Sequence, residues 1–313
     1  GEGNYKTTFN IKKGTKHAQL YFDGAMSEPI VKVNGKEVGR WMYGYNAFRL
    51  NITPYIKDGE NSVEVHLNNL EESSRWYPGA GLYRPVKLIT TNESRIDEWE
   101  TYFKTVSANH QKALLKVDTR IEDSNALKNL TTKVELLDAQ GKQVATGQQK
   151  INQQGAASFN LEVTNPHLWD IDTPYLYTLK TTLLKGKKAI DQTTTKVGIR
   201  TIYVSKEYGF RLNGKSLKFK GVCLHHDLGA LGAALNKTAV IRQIEMMKKM
   251  GVNAIRTSHN MPSQMQMDVC DSLGMMVMAE SFDAWKDLKV KNGYGRIYDE
   301  WWRKDLENLI KGH

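Results

Sequence analysis

Three short stretches bring together residue types that could do chemistry. They are His225-His226-Asp227, Arg256-Thr257-Ser258-His259-Asn260, and Glu280-Ser281-Phe282-Asp283-Ala284-Trp285. Histidines and carboxylates could ligate a metal, but no tight helical pair of the H-E-x-x-H kind is present, and no catalytic metal is expected. No Gly-x-Ser-x-Gly elbow or phosphate-binding loop occurs, which removes the usual serine-hydrolase and nucleotide signatures. Gly229-Ala230-Leu231-Gly232 faintly resembles a dinucleotide loop but lacks the full fingerprint, so no cofactor is expected. What remains is a hydrogen-bonding set of imidazoles, carboxylates, an arginine and a tryptophan. Such a set suits a polyhydroxylated ligand, with polar groups taking hydroxyls and an aromatic face covering the C–H face of a ring. Each residue also has a plainer role: Arg256 could pair with a carboxylate, Trp285 could pack a loop, and Cys223 and Cys270 read as buried thiols.

The elements that must position these stretches follow from periodicity. Each polar stretch follows an apolar segment: Leu217 to Leu224, Asn253 to Arg256, and Met275 to Ala279. Between them lie helical patterns. Asn236 caps one that carries Val240, Ile241, Ile244, Met247 and Met250 and is closed by Gly251; Ser263 caps a second that ends at Gly274; a third runs from about Arg296 to Lys311 with Ile297, Trp301, Leu306, Leu309 and Ile310 periodic. Three strand-then-helix units with continuous apolar strands predict parallel strands buried on both faces, with a ligand site beyond their C-terminal ends. Upstream of residue 200 the pattern is strands and turns. Asn34-Gly35 and Asn213-Gly214 are two-residue hairpin signals, and Val63, Val65 and Leu67 alternate with polar neighbours. Further strands are predicted at Pro85 to Thr91, Ala113 to Ile121, Thr132 to Leu137, Ala157 to Val163, Tyr175 to Leu184 and Ala189 to Val197. About 200 residues of this kind exceed one β-sandwich, and Asn92-Glu93-Ser94-Arg95 marks a boundary.

Composition narrows the class. The 313 residues include 44 Lys+Arg against 34 Asp+Glu, a formal charge of +10, and 40% are hydrophobic. That is ordinary for a folded protein and excludes wholesale disorder. The basic residues are scattered singly or in pairs such as Lys248-Lys249, a solvated surface rather than a nucleic-acid footprint. No apolar run approaches the roughly 20 residues of a membrane helix, so neither nucleic acid nor membrane is an expected partner.

The ordered motifs resemble glycoside hydrolase family 2, the β-galactosidase, β-glucuronidase and β-mannosidase group. Tyr21-Phe22-Asp23-Gly24-Ala25, Val31 to Gly39 and Gly44-Tyr45-Asn46-Ala47-Phe48 resemble its sugar-binding jelly roll, and Ser74 to Arg84 the signature that closes it. Asn165-Pro166-His167-Leu168-Trp169 with Pro174-Tyr175-Leu176-Tyr177 resembles its immunoglobulin-like domain. Gly198-Ile199-Arg200 through Phe210 to Lys215 resembles the junction to the catalytic barrel, and Lys220 to Asp227 and Asn253 to His259 the first two barrel strands. The resemblance implies a β-sandwich jelly roll over 1–92 (N-terminally incomplete), an immunoglobulin-like β-sandwich over 93–198, and the first three units of an incomplete (β/α)8 TIM barrel over 199–313.

It also implies roles. His225 and His259 would line the subsite for the sugar before the cleaved bond, with Arg256 beside His259. Glu280 and Asp283 would sit at the mouth of the third strand, Trp285 would be a candidate platform, and His226, Asp227 and Asn260 complete the rim. Arg75 and Trp76 would reach in from a jelly-roll loop. Many relatives have Glu or Asp where this chain has His226. The family hydrolyses by a retaining mechanism with two glutamates whose carboxyls lie about 5–5.5 Å apart. The chain stops at Gly312-His313, before the fourth barrel strand, so both glutamates are expected to lie outside it and Glu280 matches neither. A chain of these 313 residues alone is expected to be poorly soluble and inactive, since three units leave an open edge. The implied partner is a β-galactoside or related glycan, assembly into a homo-oligomer is compatible with it, and the family's use in bacterial polysaccharide degradation implies the periplasm. A rival expectation is a carbohydrate-binding or scaffolding protein that hydrolyses nothing.

Overall fold

The computed structural model describes residues 1–122 and 129–312. They fall into two compact units, one of residues 1–90, 221–269 and 277–313, the other of residues 91–220 and 270–276.

In the first unit, two antiparallel sheets make a sandwich. One sheet orders its strands Glu2–Ile11, Gly59–Asn68, Ile30–Val33 and Lys36–Arg40; the other orders Phe48–Asn51, His17–Phe22 and Val86–Thr91. Alternation decides the faces: Val31, Val33, Val65 and Leu67 point inward with Leu20, Phe22 and Phe48. The ring of Phe22 stacks on Phe48 at 4.7 Å. Asn34 and Gly35 both take positive φ (50° and 78°), the two-residue hairpin geometry that pairs Val33 with Lys36.

The same unit carries the strands that precede the polar stretches. Gly221–Leu224 pairs in parallel with Ala254–Thr257, and Met276–Ala279 lies on the other side of Ala254–Thr257. Helix α1 (Lys237–Lys249) follows the first strand, α2 (Gln264–Leu273) the second, and α3 (Tyr298–Gly312) the third. Asn236 caps α1 by accepting from the Ala239 amide at 3.0 Å, and Ser263 Oγ accepts from the Gln266 amide at 3.1 Å. Several expectations need correction. The first strand is four residues rather than eight, and these strands are not buried on both faces: Cys223 is exposed and Met278 is 61% exposed, because their side chains reach a face that no described residue covers. Only Cys270 is a buried thiol, with burial pushing it up to about 12. Met250 and Ile310 face solvent, while α3 buries Trp301 and Leu309 as expected and, beside them, Asp305.

The second unit is another two-sheet sandwich. Ala156–Thr164, Lys112–Glu122 and Tyr102–Ala108 form one sheet; Gln143–Lys150, Leu130–Leu137, Tyr177–Lys185 and Lys188–Val197 form the other. Leu115, Val117, Val134, Phe159, Leu179 and Ile199 fill its core. Trp169, 1% exposed, donates from Nε1 to the Asp271 carbonyl at 2.8 Å, and the Arg200 guanidinium lies 4.6 Å over its ring.

Candidate active site

The polar stretches converge where the strands end. His225 follows Leu224 directly, Arg256 lies within the second strand with His259 just beyond it, and Glu280 follows Ala279. Glu280 is the hub. Its Oε1 accepts from Arg256 Nε at 2.7 Å and also from Arg256 Nη2, its Oε2 lies 2.7 Å from His259 Nδ1, and its amide donates to Thr257 Oγ1 at 3.1 Å. The Arg256 guanidinium is held above its usual range, chiefly by its hydrogen bond to Glu280. A carboxylate can only accept, so Nδ1 of His259 carries a proton, and in the neutral ring Nε2 is then the acceptor for a ligand hydroxyl. The Ser258–His259 peptide is cis.

The jelly-roll loop supplies the other wall. The Trp76 ring stacks on His225 (5.1 Å, 22°) and meets His259 edge-on (5.5 Å, 60°), and His225 and His259 are 5.5 Å apart. Trp76 Nε1 donates to the Tyr45 hydroxyl at 3.1 Å, which fixes the indole. Arg75 makes a two-pronged bond to Asp283 (2.6 and 3.2 Å), and Lys289 Nζ reaches the same carboxylate at 3.1 Å. These cations hold Asp283 below the usual carboxylate range against the opposing effect of burial. Asn260 is 2% exposed, its backbone bridges to Phe282, and its Nδ2 is buried with no hydrogen-bond partner among the described residues; the same holds for His225 Nδ1.

The structure therefore brings together His225, Arg256, His259, Glu280 and Trp76, with Arg75–Asp283 at the margin. His226 and Asp227 turn elsewhere. The half-buried His226 lies 3.0 Å from the Pro78 carbonyl through Nε2, packs beside Tyr45 and Tyr83, and is pushed down to about 4 by burial, helped by Arg84. A neutral ring that donates from Nε2 ties the loop to the strand end. Exposed Asp227 borders a cavity of about 20 Å³ with His226, Gln243 and Gln266, and Trp285 is 69% exposed. Among the described residues no three His, Cys, Asp or Glu converge to hold a metal ion, and no helix is long and apolar enough to cross a membrane.

Sequence reasoning missed the residues that hold this cluster in place. Arg84 donates to the carbonyls of Asp23, Tyr45 and Met261, and the Tyr43 hydroxyl donates to the His259 carbonyl at 3.3 Å. The available signal was the aromatic run Trp41-Met42-Tyr43-Gly44-Tyr45, too dense for a solvated turn.

Three models of glycosyl hydrolases family 2 match in sequence order: its sugar-binding domain over residues 1–92, a second family 2 model over 94–200, and its TIM barrel domain over 203–303. The chain belongs to glycoside hydrolase family 2. Family relatives include the β-galactosidase BoGH2A of Bacteroides ovatus, 40% identical over 99% of this chain and 38% of that protein, and a putative β-glucuronidase of Formosa agariphila, 40% identical over 99% of this chain and 30% of that protein. A family 2 crystal structure from Bacteroides cellulosilyticus superposes with a TM-score of 0.97 at 37% identity, covering 99% of this chain and 41% of that one. The fold is thus the family's sugar-binding sandwich, immunoglobulin-like sandwich and start of a TIM barrel, and the chain spans about a third of the length of the curated relatives it matches.

Proposed function

We propose that this chain supplies the sugar-gripping part of a retaining β-glycosidase of the β-galactosidase type, with 1–92, 93–198 and 199–313 as its three pieces. The observation that carries it is the convergence of His225, His259, Glu280, Arg256 and the jelly-roll Trp76 at the ends of consecutive strands. In this proposal Glu280 is an orienting carboxylate, since its oxygens are taken up by Arg256 and His259. It sets the tautomer and angle of His259, whose Nε2 accepts a sugar hydroxyl. His225 Nδ1 and Asn260 Nδ2 are buried with no hydrogen-bond partner among the described residues, Trp76 walls the subsite, Asp283 anchors Arg75, and Trp285 flanks the opening. His226 acts as a tie to the loop rather than as a ligand. No residue of this chain is assigned as general acid/base or nucleophile.

Equal identity to the Formosa agariphila protein favours a second reading, a β-glucuronidase. Turnover of a panel of aryl β-glycosides by the full-length protein carrying this sequence tests both. Preference for the β-galactoside with retained anomeric configuration is the expected result, preference for the glucuronide selects the second reading, and no turnover of any member overturns both.

A further inference from the structure

Asp305 takes no part in the cluster described above, yet it is the most fully enclosed carboxyl group of the first unit. It sits on α3 at 0% exposure. Oδ1 accepts from Trp41 Nε1 at 2.8 Å, Oδ2 from the Tyr294 hydroxyl at 2.5 Å, and its carbonyl from Asn46 Nδ2 at 2.8 Å. Two routes lead from it to the sugar cluster. In the first, the Tyr294 ring packs against Tyr43 (4.5 Å), whose hydroxyl holds the His259 carbonyl. In the second, the same ring stacks on Phe282 (4.5 Å, 10°), which bridges to Asn260 and lies between Glu280 and Asp283 in sequence.

Resting on the proposal that this cluster holds a sugar, we propose that Asp305 is a positioning residue, fixing His259 and the Glu280–Asp283 segment through Tyr294, Tyr43 and Phe282. Its own contacts are complete without a ligand, and none touches the cluster directly. The groups that face it are neutral donors or distant: Trp41 and Asn46 from the jelly-roll segment, the phenols of Tyr294 and Tyr43, and Lys304 from its own helix. Among the described residues no guanidinium or ammonium pairs with it in a hydrogen bond, so burial dominates and raises it to about 7. Protonated or not, it can keep both side-chain bonds, since a carboxylic acid can donate to Tyr294 in place of accepting.

Crystal structures of the full-length protein carrying Asp305→Ala and Asp305→Asn test this directly. In the Ala variant, Tyr43 is expected to leave the His259 carbonyl and His259 to leave hydrogen-bond reach of Glu280. The Asn variant, which keeps an acceptor for Trp41 and offers a donor to Tyr294, restores both. If the Ala variant leaves Tyr43, His259 and Glu280 unmoved, the proposal is overturned, whatever the protein does to glycosides. With an aryl β-glycoside that the wild type cleaves, the Ala variant raises KM about tenfold while the Asn variant stays within about twofold. Where the Ala variant does not fold, Tyr294→Phe, which removes only the hydroxyl, takes its place. A KM raised about threefold supports the proposal; an unchanged KM overturns it. Absence of all turnover removes the proposed activity alone, because the structural comparison still decides the role of Asp305.

Discussion

Asp283 and Asp305 lie 22 residues apart in sequence, and jelly-roll residues hold both, with opposite consequences. Asp283 meets cations, the guanidinium of Arg75 and the ammonium of Lys289, and is held below the usual carboxylate range. Among the described residues the Asp305 carboxyl meets only neutral donors, an indole and a phenol, and burial raises it to about 7. Enclosure alone does not set the charge of a carboxyl group; the charge of its donors does. One aspartate is a charged strap at the rim, and the other is a post inside the packing whose charge burial disfavours.

Breaking the contrast at Asp305 has the largest expected effect. A carboxyl group raised by folding stabilises the fold below its unfolded value near 4, and that contribution is lost as pH rises through about 7. Integrated over that window the loss is about 4 kcal/mol as an order of magnitude. Thermal unfolding of the wild type should therefore show Tm falling between pH 5 and pH 8 by more than it does in Asp305→Asn, whose profile over that range is flatter.

Glu280→Gln comes next. It replaces one acceptor oxygen with an amide that can only donate, so the arginine and histidine lose their common anchor. A loss of about 100-fold in kcat/KM on the preferred aryl glycoside is expected, the scale of a displaced substrate-positioning group. His226→Phe sharpens the picture of a loop tie. It keeps the ring between Tyr45 and Tyr83 but loses the bond to Pro78, so urea unfolding should report about 1 kcal/mol of lost stability with KM little changed. Arg75→Ala has the smallest effect. A carboxylate held low stabilises the fold above its unfolded value and loses that contribution as pH falls, so removing Arg75 shifts the midpoint of acid unfolding upward with little change at neutral pH.

Much of the fold was legible because local signals agreed. The two Asn-Gly hairpins, the Asn236 and Ser263 caps and the alternation of Val63, Val65 and Leu67 each answer to a rule that acts within a few residues. The polar strand ends were legible as a group, since consecutive strands bring their ends to one side. What escaped depends on partners distant in sequence. Nothing near Asp305 announces that Trp41 lies 264 residues away in hydrogen-bond contact, and an acidic residue on an amphipathic helix reads as solvent-facing. His226 was expected on the rim with Asp227 and Asn260, yet its positive φ of 74° and the Pro78 carbonyl aim it away from the cluster. Cys223 and Met278 read as core because an apolar strand carries no mark of which face is covered.

The most direct measurement is the crystal structure of the full-length protein soaked with a β-thiogalactoside that it cannot cleave. The account predicts a pyranose walled by Trp76, with one hydroxyl on His259 Nε2 and Glu280 still bound to Arg256 and His259. A sugar seated elsewhere, or Glu280 released from Arg256 to contact the glycosidic oxygen, would contradict it.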